Sequence, residues 1–468
     1  MGTPATTVNG LQPYLAYKPS GVEWLGEVPA HWGLPRLGTL LRERKEMNDG
    51  GKVSEVLSLL RDRGVIPYDE KGNVGNKKSE DITRYKVVRP EDIVVNCMNV
   101  IIGSVGLSSY TGCLSPVYYV LTRRSADDYP RYLNAYFQTK PFQESLVRIG
   151  NGILAHRMRI PMELLKCEPF PHPPPEEQAA IARYLDHADR RIRRCIHAKE
   201  KLVKLLEEQR QALINEAVTG RVDVRTGQPY PAYKPSGMKW LGDVPSHWKV
   251  RRLRTTAKMR VSNVDKHVRE GEPLVRLCNY VDVYNHDYIS QQIDFMRATA
   301  TCKEIEQFRL AKGDVLITKD SEAWDDIGVP AVVTEPAEDL ISGYHLALLR
   351  PLSKELVGSF LLRALQSKGA AYQFHVEAKG VTRYGLSHSS IKSTCIAVPP
   401  LPEQAAIARY LDHAERRIQR SVESEQRQIH LLNEYRSRLI ADVVTGKLDV
   451  LQAASGLPND LEGPRAKT

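Results

Sequence analysis

Two long stretches of the chain repeat apolar residues in alternating steps of three and four positions, which is the pattern of a helix with a coiled-coil seam. The pattern predicts one helix over residues 176–218 and a second over residues 402–444. The predicted seam residues are Leu185, Ile192, Leu202, Leu206 and Leu213 in the first helix, and Leu411, Ile418, Leu432, Tyr435 and Leu439 in the second. Cys195 falls on the same spacing and is expected to be buried in the seam.

Each predicted helix needs a partner for its apolar seam. About 40 residues at 1.5 Å each make a rod of roughly 60 Å, which is too long for one small domain to cover. The best-matched partner is the other helix, and a duplicated unit with pseudo-twofold symmetry sets the two helices antiparallel. That arrangement places the two variable regions at opposite ends of a fixed spacer. The alternative is that each helix packs only on its own domain.

Before each helix the pattern changes to short apolar runs separated by glycine turns, which indicates β-strands. The same order of a strand, a glycine turn and a strand occurs over residues 91–121 and again over 313–349. The common order predicts that the two variable regions share one α/β fold that has diverged in sequence.

The chain repeats one frame around two different inserts. QPYLAYKPSG at 12–21 returns as QPYPAYKPSG at 228–237, and AAIARYLDH at 179–187 is identical to 405–413. In chain order, the predicted parts are a lead segment (1–32), a first variable domain (33–175), the first long helix (176–218), a linker with the second lead segment (219–248), a second variable domain (249–401), the second long helix (402–444) and a C-terminal tail (445–468). Diverged inserts on a retained frame indicate that the inserts carry specificity.

Composition places the chain among soluble globular proteins. Of its 468 residues, 42% are hydrophobic and 26% are charged, and the net charge of +10 favours a polyanionic partner. No apolar run approaches the ~18 residues of a membrane helix and no secretory signal is evident, so we expect no membrane contact. The seven cysteines lack C-x-x-C spacing, which argues against disulfides and zinc and favours a reducing cytoplasm.

No catalytic motif fits its sequence context. Residues 72–79 resemble a phosphate-binding loop, but Lys77 stands where the second glycine is required and no strand precedes the loop. Asp314 with Lys319 and Asp320 suggests a nuclease metal site, but Asp314 begins a strand and the first insert lacks a matching lysine. No glycine-rich fingerprint of a methyl-donor or dinucleotide site is present. We therefore expect no catalytic residue, metal or cofactor in this chain.

The repeated motifs resemble those of the specificity subunits of type I restriction–modification systems. They are Tyr-Lys-Pro-Ser-Gly, Trp-Leu-Gly-Glu/Asp-Val-Pro and His-Trp in each lead segment, and Glu-Gln-Ala-Ala-Ile-Ala-Arg-Tyr-Leu-Asp at each helix start. The resemblance covers nearly all of residues 12–450. It implies an α/β (α+β) fold, in which two globular target-recognition domains are separated by a pair of long antiparallel coiled-coil helices with an internal pseudo-twofold repeat.

The resemblance also implies a function. Each variable domain would read one half of a bipartite, asymmetric target in double-stranded DNA, and the paired helices would fix the unread gap. Two modification subunits would carry S-adenosylmethionine and methylate adenine N6, and restriction subunits would use ATP and Mg for translocation and cleavage. The chain itself would be a non-enzymatic subunit in a bacterial or archaeal cytoplasm. The half-site sequences, the gap length and the domain that reads each half stay open.

Polar side chains in loops after strands and between glycines are the candidates for contact with DNA, because such groups read base edges and phosphates. They are Asn96, Asn99, Arg157 and Arg159 in the first domain, and Lys319, Ser321, Lys379, Arg383 and Tyr384 in the second. For each of them the alternative is a solvated loop residue.

Two other functions remain open at this point. An enzyme that fuses recognition with methylation or cleavage would need methyltransferase or nuclease motifs, which the sequence lacks. A coiled-coil interaction protein without a role on DNA would leave the diverged inserts and the basic charge unexplained.

Overall fold

The structure is a computed structural model in which residues 11–61, 63–74, 77–152, 158–352 and 354–458 are described. The chain divides into two compact units. Unit 1 comprises Met1–Lys199 and Arg427–Thr468, and unit 2 comprises Glu200–Gln426. Each unit therefore contains one variable domain and a part of each long helix.

The strands of the first half of the chain are β1 (Tyr17–Pro19), β2 (Glu27–Pro29), β3 (Leu41–Glu43), β4 (Leu57–Leu60), β5 (Gly64–Pro67), β6 (Lys86–Val88), β7 (Ile93–Asn96), β8 (Val105–Leu107), β9 (Gly112–Leu114) and β10 (Tyr118–Arg123). Those of the second half are β11 (Tyr233–Pro235), β12 (Asp243–Pro245), β13 (Lys249–Arg252), β14 (Ala257–Val261), β15 (Leu274–Cys278), β16 (Tyr288–Ile289), β17 (Met296–Thr299), β18 (Val315–Thr318), β19 (Asp320–Ser321), β20 (Pro330–Val333), β21 (Leu340–Ser342), β22 (Leu346–Pro351), β23 (Tyr384–Gly385) and β24 (Cys395–Val398).

The α-helices are α1 (Leu37–Leu40), α2 (Pro130–Phe137), α3 (Lys140–Ser145), α4 (Met162–Leu165), α5 (Pro175–Thr219), α6 (Leu253–Thr256), α7 (Tyr280–Asn285), α8 (Cys302–Phe308), α9 (Gly358–Leu365), α10 (Lys368–Glu377), α11 (His388–Ser393), α12 (Leu401–Val444) and α13 (Leu451–Ser455). The two long helices α5 and α12 lie where the seam pattern predicts them. In the described residues, no helix has the length and apolar character needed to cross a membrane.

Both variable domains contain the same antiparallel sheet. Its strand order is β3-β10-β7-β8 in unit 1 and β14-β22-β18-β20 in unit 2, where β16 adds a fifth strand parallel to β20. The corresponding strands follow one another along the chain in the same order in both units. The α/β fold and the common plan of the two inserts are therefore confirmed.

The central strand of each sheet is buried on both faces, which explains its uninterrupted apolar sequence. In β7, Ile93 and Val95 pack into the core shared with the helices, and Val94 between them packs into a second core cluster on the opposite face. In β18, Val315 and Leu316 divide in the same way between two clusters. Each sheet is thus the middle layer of its domain.

The long helices pack together antiparallel, as predicted. Within unit 1, Asp189 of α5 pairs with Arg436 of α12, and further along α5 Lys199 donates a hydrogen bond to Gln428, which lies earlier in α12. Rising residue numbers in α5 therefore meet falling numbers in α12. This contact excludes the alternative in which each helix packs only on its own domain.

The seam of α5 differs from the prediction in its middle. Ile192 is buried as predicted, but the next seam residue is Ile196, and Cys195 is exposed. Further along, Val203 is half-buried while Leu202 is 42% exposed. The predicted seam positions of Cys195 and Leu202 are therefore wrong.

Polar seam residues explain these two errors. Asp189 in unit 1 and Arg210 in unit 2 pair with Arg436 and Glu415 of α12, so the apolar residues alone do not trace the seam. In α12, Val422 is buried at a seam position that the sequence pattern did not reveal. The predicted seam residues Leu185, Leu411, Ile418 and Leu439 are buried, while Leu206, Leu213, Leu432 and Tyr435 are partly buried.

Each unit joins the end of one long helix to a lead segment. In unit 2 these parts are continuous in sequence, and the Asp223 N–H donates to the Gln228 carbonyl at 2.8 Å. In unit 1 they come from opposite ends of the chain, and the Asp449 N–H donates to the Gln12 carbonyl at 2.7 Å. The hydrogen bond between Asp449 and Gln12 in unit 1 is therefore the counterpart of the bond between Asp223 and Gln228 in unit 2.

A buried carboxylate fixes each lead segment to the start of a long helix. Glu177 accepts hydrogen bonds from the Tyr14 hydroxyl and, at 2.9 Å, from the Trp32 indole N–H, while His31 Nε2 lies 2.8 Å away. Burial and the Glu177 carboxylate raise the pKa of Tyr14 far above its usual value, so its hydroxyl stays a donor. In unit 2 the same contacts join Glu403 to Tyr230, His247 and Trp248.

Candidate functional site

In unit 2, a short β-ribbon collects most of the predicted DNA-contacting residues at one edge of the sheet. β18 ends at Thr318, and the next residues form β19, which pairs with β23 through Ser321 and Tyr384. The Leu386 N–H donates to the Lys319 carbonyl at 2.8 Å, and Lys379 exchanges backbone hydrogen bonds with Gly385. The structure therefore brings the loop after β18 and the segment 379–385 together.

A charged cluster holds the loop after β18. The Asp320 carboxylate lies 3.0 Å from Lys319 Nζ and 2.7 Å from His345 Nδ1. Burial alone would raise the pKa of Asp320, but the hydrogen bonds and charges of His345 and Lys319 outweigh it and hold the pKa below its usual value. His345 itself has a φ of 67°, which a residue other than glycine rarely adopts. The Lys319 ammonium is thus already paired within the chain.

Exposure separates the predicted residues of unit 2 into two groups. Lys379 and Arg383 are exposed at the surface of the ribbon, and Tyr384 is half-buried. Ser321 is 6% exposed, and its hydroxyl accepts a hydrogen bond from the Ala323 N–H at 3.3 Å. This burial argues against direct contact between Ser321 and DNA, and gives the residue a role in shaping the loop.

Unit 1 builds the corresponding edge from different residues. Asn96 ends β7, its side-chain oxygen accepts from the Met98 N–H at 3.0 Å, and its carbonyl accepts from the Asn99 N–H. Arg159 is exposed and pairs through its backbone with Asn151. The neighbouring Ile160 N–H donates to the Cys97 carbonyl at 2.9 Å, which ties this segment to the loop after β7. Asn96, Asn99 and Arg159 therefore share one edge, whereas Arg157 lies outside the described residues.

A basic cavity beside this edge was not predicted as a site. It has a volume of about 560 Å³, and its lining includes Lys77, Lys78, Arg84 and the residues 115–118 that lead into β10. Lys78 also lies over the Tyr68 ring, 5.3 Å from its centroid. The sequence signal for this cavity is the cationic pair Lys77-Lys78 in the segment 72–79, which as a motif resembles only a phosphate-binding loop.

The residues considered for a nuclease site have structural roles instead. Asp314 is almost fully buried and accepts hydrogen bonds from the Arg350 guanidinium at 2.7 and 2.8 Å. Asp92 occupies the same place before β7 and accepts from Arg44. Each buried aspartate thus fixes the start of a central strand. No three His, Cys, Asp or Glu side chains in the described part of the chain are arranged to hold a metal ion.

Comparisons with known proteins connect this architecture to one family. Residues 278–429 match the model of the type I restriction modification DNA specificity domain. The chain is 19% identical to the specificity subunit of the type I restriction enzyme EcoKI of Escherichia coli strain K12, over 83% of this chain and 82% of that one. It is 24% identical to the EcoBI specificity subunit of Escherichia coli, over 52% of this chain and 50% of that one. The chain spans about half the length of some of the curated relatives that it matches.

The fold agrees with these matches. A chain from a solved type I restriction–modification system superposes with a TM-score of 0.68, at 17% identity, over 90% of this chain and 99% of the other. The matched domain, the related sequences and the fold agree with one another: the chain is similar to the specificity subunits of type I restriction–modification systems.

Proposed function

We propose that this chain binds double-stranded DNA and selects the target for modification and restriction by its partner subunits. Each variable domain reads one half of a bipartite, asymmetric sequence, and the antiparallel helices hold the two readers at a fixed separation. Readers on one face of B-DNA have centres about one helical turn, ~34 Å, apart or a multiple of it. The chain itself carries no catalytic residue.

The observation that carries this proposal is the contrast between the sheets and their edges. Both domains have the same strand order, yet the end of the central strand and its loop read Asn96-Cys97-Met98-Asn99 in unit 1 and Thr318-Lys319-Asp320-Ser321 in unit 2. Amide, guanidinium and carboxylate groups recognise different base edges. Two domains with the same sheet but different polar residues in the loops after the central strand would recognise two different half-sites.

The relatives support the wider complex that we propose. Their names describe subunits of type I restriction enzymes, and the solved system concerns complex assembly. In this proposal, two modification subunits supply S-adenosylmethionine and methylate adenine N6. Restriction subunits supply ATP-dependent, Mg-dependent translocation and cleavage. No cofactor is assigned to this chain.

A map of N6-methyladenine tests the proposal. The chain is expressed with its neighbouring methyltransferase in a cell that lacks both, and the genome is mapped with and without the chain. A methylated motif of two parts with a fixed gap, present only with the chain, is the expected result. Methylation that does not change when the chain is deleted would contradict the specificity role.

Two controls separate the proposal from its rivals. The purified chain alone, incubated with labelled S-adenosylmethionine and the mapped DNA, should transfer no methyl group, whereas a fused enzyme would. A protein with only a coiled-coil interaction role would form a complex with its partner yet leave no bipartite footprint on DNA.

A further inference from the structure

The long helices keep the same exposed arginines in both copies of the repeat. Arg190, Arg191 and Arg194 of α5 occupy the positions of Arg416, Arg417 and Arg420 of α12. All six side chains are exposed. These two sets of three are called the arginine triplets below.

Several other exposed cationic positions on the same helices have diverged between the copies. Arg193 corresponds to Gln419, Lys204 to His430, and Arg438 to Ala212. Exposed helix positions contribute little to folding, and packing does not require arginine there. The retention of the triplets therefore indicates a partner that presents the same chemistry to both copies.

The triplets are available to an anionic partner. None of the six guanidinium groups forms an ion pair with a carboxylate of the described residues, although Arg420 Nε donates a hydrogen bond to the Arg416 carbonyl at 3.0 Å. Elsewhere on the helices, exposed cations such as Lys204 and Arg438 do pair with carboxylates one turn away. Within each triplet the arginines span about 6 Å of helix axis.

In unit 2, two arginines of the α12 triplet line a cleft beside the variable domain. The Tyr284 hydroxyl at the end of α7 donates to Asp326 in the loop between β19 and β20 at 2.8 Å. The next residues, Asn285 and His286, line an open cleft of about 910 Å³ between the variable domain and α12. Arg416 and Arg420 form part of its opposite wall. The Tyr284–Asp326 contact thus connects the loop before β20 with the wall of the cleft that Arg416 and Arg420 line, whereas Arg417 lines a separate cavity beside α5.

We propose that the arginine triplets bind backbone phosphates of the DNA gap that neither domain reads. This inference rests on the proposed function, because it places the duplex on the loop edge of each domain. Phosphates are the same for every sequence, which explains why the triplets are retained while the reading loops have diverged. The arginines then contribute affinity and fix the path of the duplex beside each half-site without adding sequence preference.

The test measures the salt dependence of DNA binding by the full chain in complex with its methyltransferase. The probe is a duplex that carries the target identified by the methylation map, and a duplex with both half-sites scrambled serves as the reference. The variants are R416Q/R420Q and R190Q/R194Q. The matched control is K204Q/R438Q, which removes two exposed cations from the same helices at positions outside the triplets.

Each phosphate contact that is lost lowers the slope of log affinity against log salt by about 0.9. Raising the salt from 50 to 200 mM should therefore weaken DNA binding by each arginine-pair variant about tenfold less than it weakens binding by the unmodified complex. The control variant should show the same salt dependence as the unmodified complex. The methylated motif should stay the same in all of them.

Two results would overturn the inference. Equal slopes for the control and the arginine variants would show an effect of net charge alone. Loss of the methyltransferase from the complex, with unchanged DNA binding by the remaining chain, would assign the triplets to a protein interface. Failure of the proposed function is distinguishable, because the unmodified complex would then bind the target and scrambled duplexes equally.

Discussion

The two units attach their variable domains to the long helices at the same position of the repeat but with different chemistry. In unit 1, Arg131 at the start of α2 pairs with Asp186, and both side chains are about a third exposed. In unit 2, Arg363 within α9 is fully buried and pairs with Asp412, which corresponds to Asp186, and with Glu415. The helix therefore keeps the acidic group, while each domain supplies its arginine from a different place.

Burial makes the attachment in unit 2 the more sensitive of the two. Burial alone would lower the pKa of Arg363, but Glu415, Tyr288 and Asp412 outweigh it, so that the pKa is raised and the guanidinium stays charged. The Tyr288 hydroxyl adds a hydrogen bond to Asp412 at 2.8 Å. A divergent domain can thus dock on a retained frame through a surface pair or a buried network, and the two should respond differently to mutation.

The largest effect is expected from removing Arg363. Arg363→Ala leaves Asp412 and Glu415 without their buried counter-charge and should lower the free energy of unfolding of unit 2 by about 3–5 kcal/mol. Arg131→Ala removes a partly exposed pair and should cost unit 1 at most about 1 kcal/mol. Hydrogen exchange of the α9 and α2 amides measures each unit separately. Equal losses would mean that the two attachments do not differ in strength.

Removing the carboxylate beneath the lead segments should affect both units alike. Glu177→Ala and Glu403→Ala each leave a buried indole N–H and a tyrosine hydroxyl without their acceptor, at about 1–3 kcal/mol for each group. We expect similar destabilisation of unit 1 and unit 2, measured by urea unfolding of the full chain. A large difference between the variants would break the equivalence of the two frames.

The candidate DNA-contacting loops of the two variable domains should act independently of each other. Arg159→Ala should relax one half of the methylated motif, and Arg383→Ala should relax only the other half, by about 1–3 kcal/mol at each affected base pair. The methylation map of each variant gives the result. A change in both halves from one substitution would contradict the assignment of one half-site to each domain.

The Asp320 carboxylate should make the loop after β18 in unit 2 lose its structure as the pH falls. The folded-state pKa of Asp320 is lowered, so its contribution is complete above the unfolded-state value of about 3.9 and is lost as the pH falls through the folded value. NMR of the β19–β23 amides from pH 5 to pH 2 should show this loss, and Asp320→Asn should remove it. The same pH change should leave the Asn96 edge of unit 1 unaffected by this mechanism, since Met98 stands at the position of Asp320.

The smallest effect is expected from making unit 2 more like unit 1 after the long helix. Arg225 pairs with Asp223 and lies 3.5 Å from Glu403, whereas its counterpart after α12 is Leu451. The guanidinium is about half exposed, so Arg225→Leu should change the free energy of unfolding by no more than about 1 kcal/mol. Thermal unfolding against the unmodified chain checks this value, and a larger loss would give Arg225 a structural role that unit 1 lacks.

The sequence alone determined the long helices, the duplicated frame and the common plan of the inserts, because these features depend on local periodicity and internal identity. It also predicted that Arg159, Lys379 and Arg383 lie outside the sheet strands, whereas Asn96, predicted in a loop, is the last residue of β7. Its errors at Cys195 and Leu202 arose because polar seam residues interrupt the apolar pattern that the prediction follows.

Only the tertiary structure decided which distant segments meet. The pairing of Ser321 with Tyr384, the contact of Gln12 with Asp449 and the burial of Arg363 against Asp412 all join residues far apart in the chain. Such contacts depend on the complementary placement of hydrogen-bond and charge partners in the folded chain. Periodicity along the sequence carries no record of that placement, because it reports only which face of each element is buried.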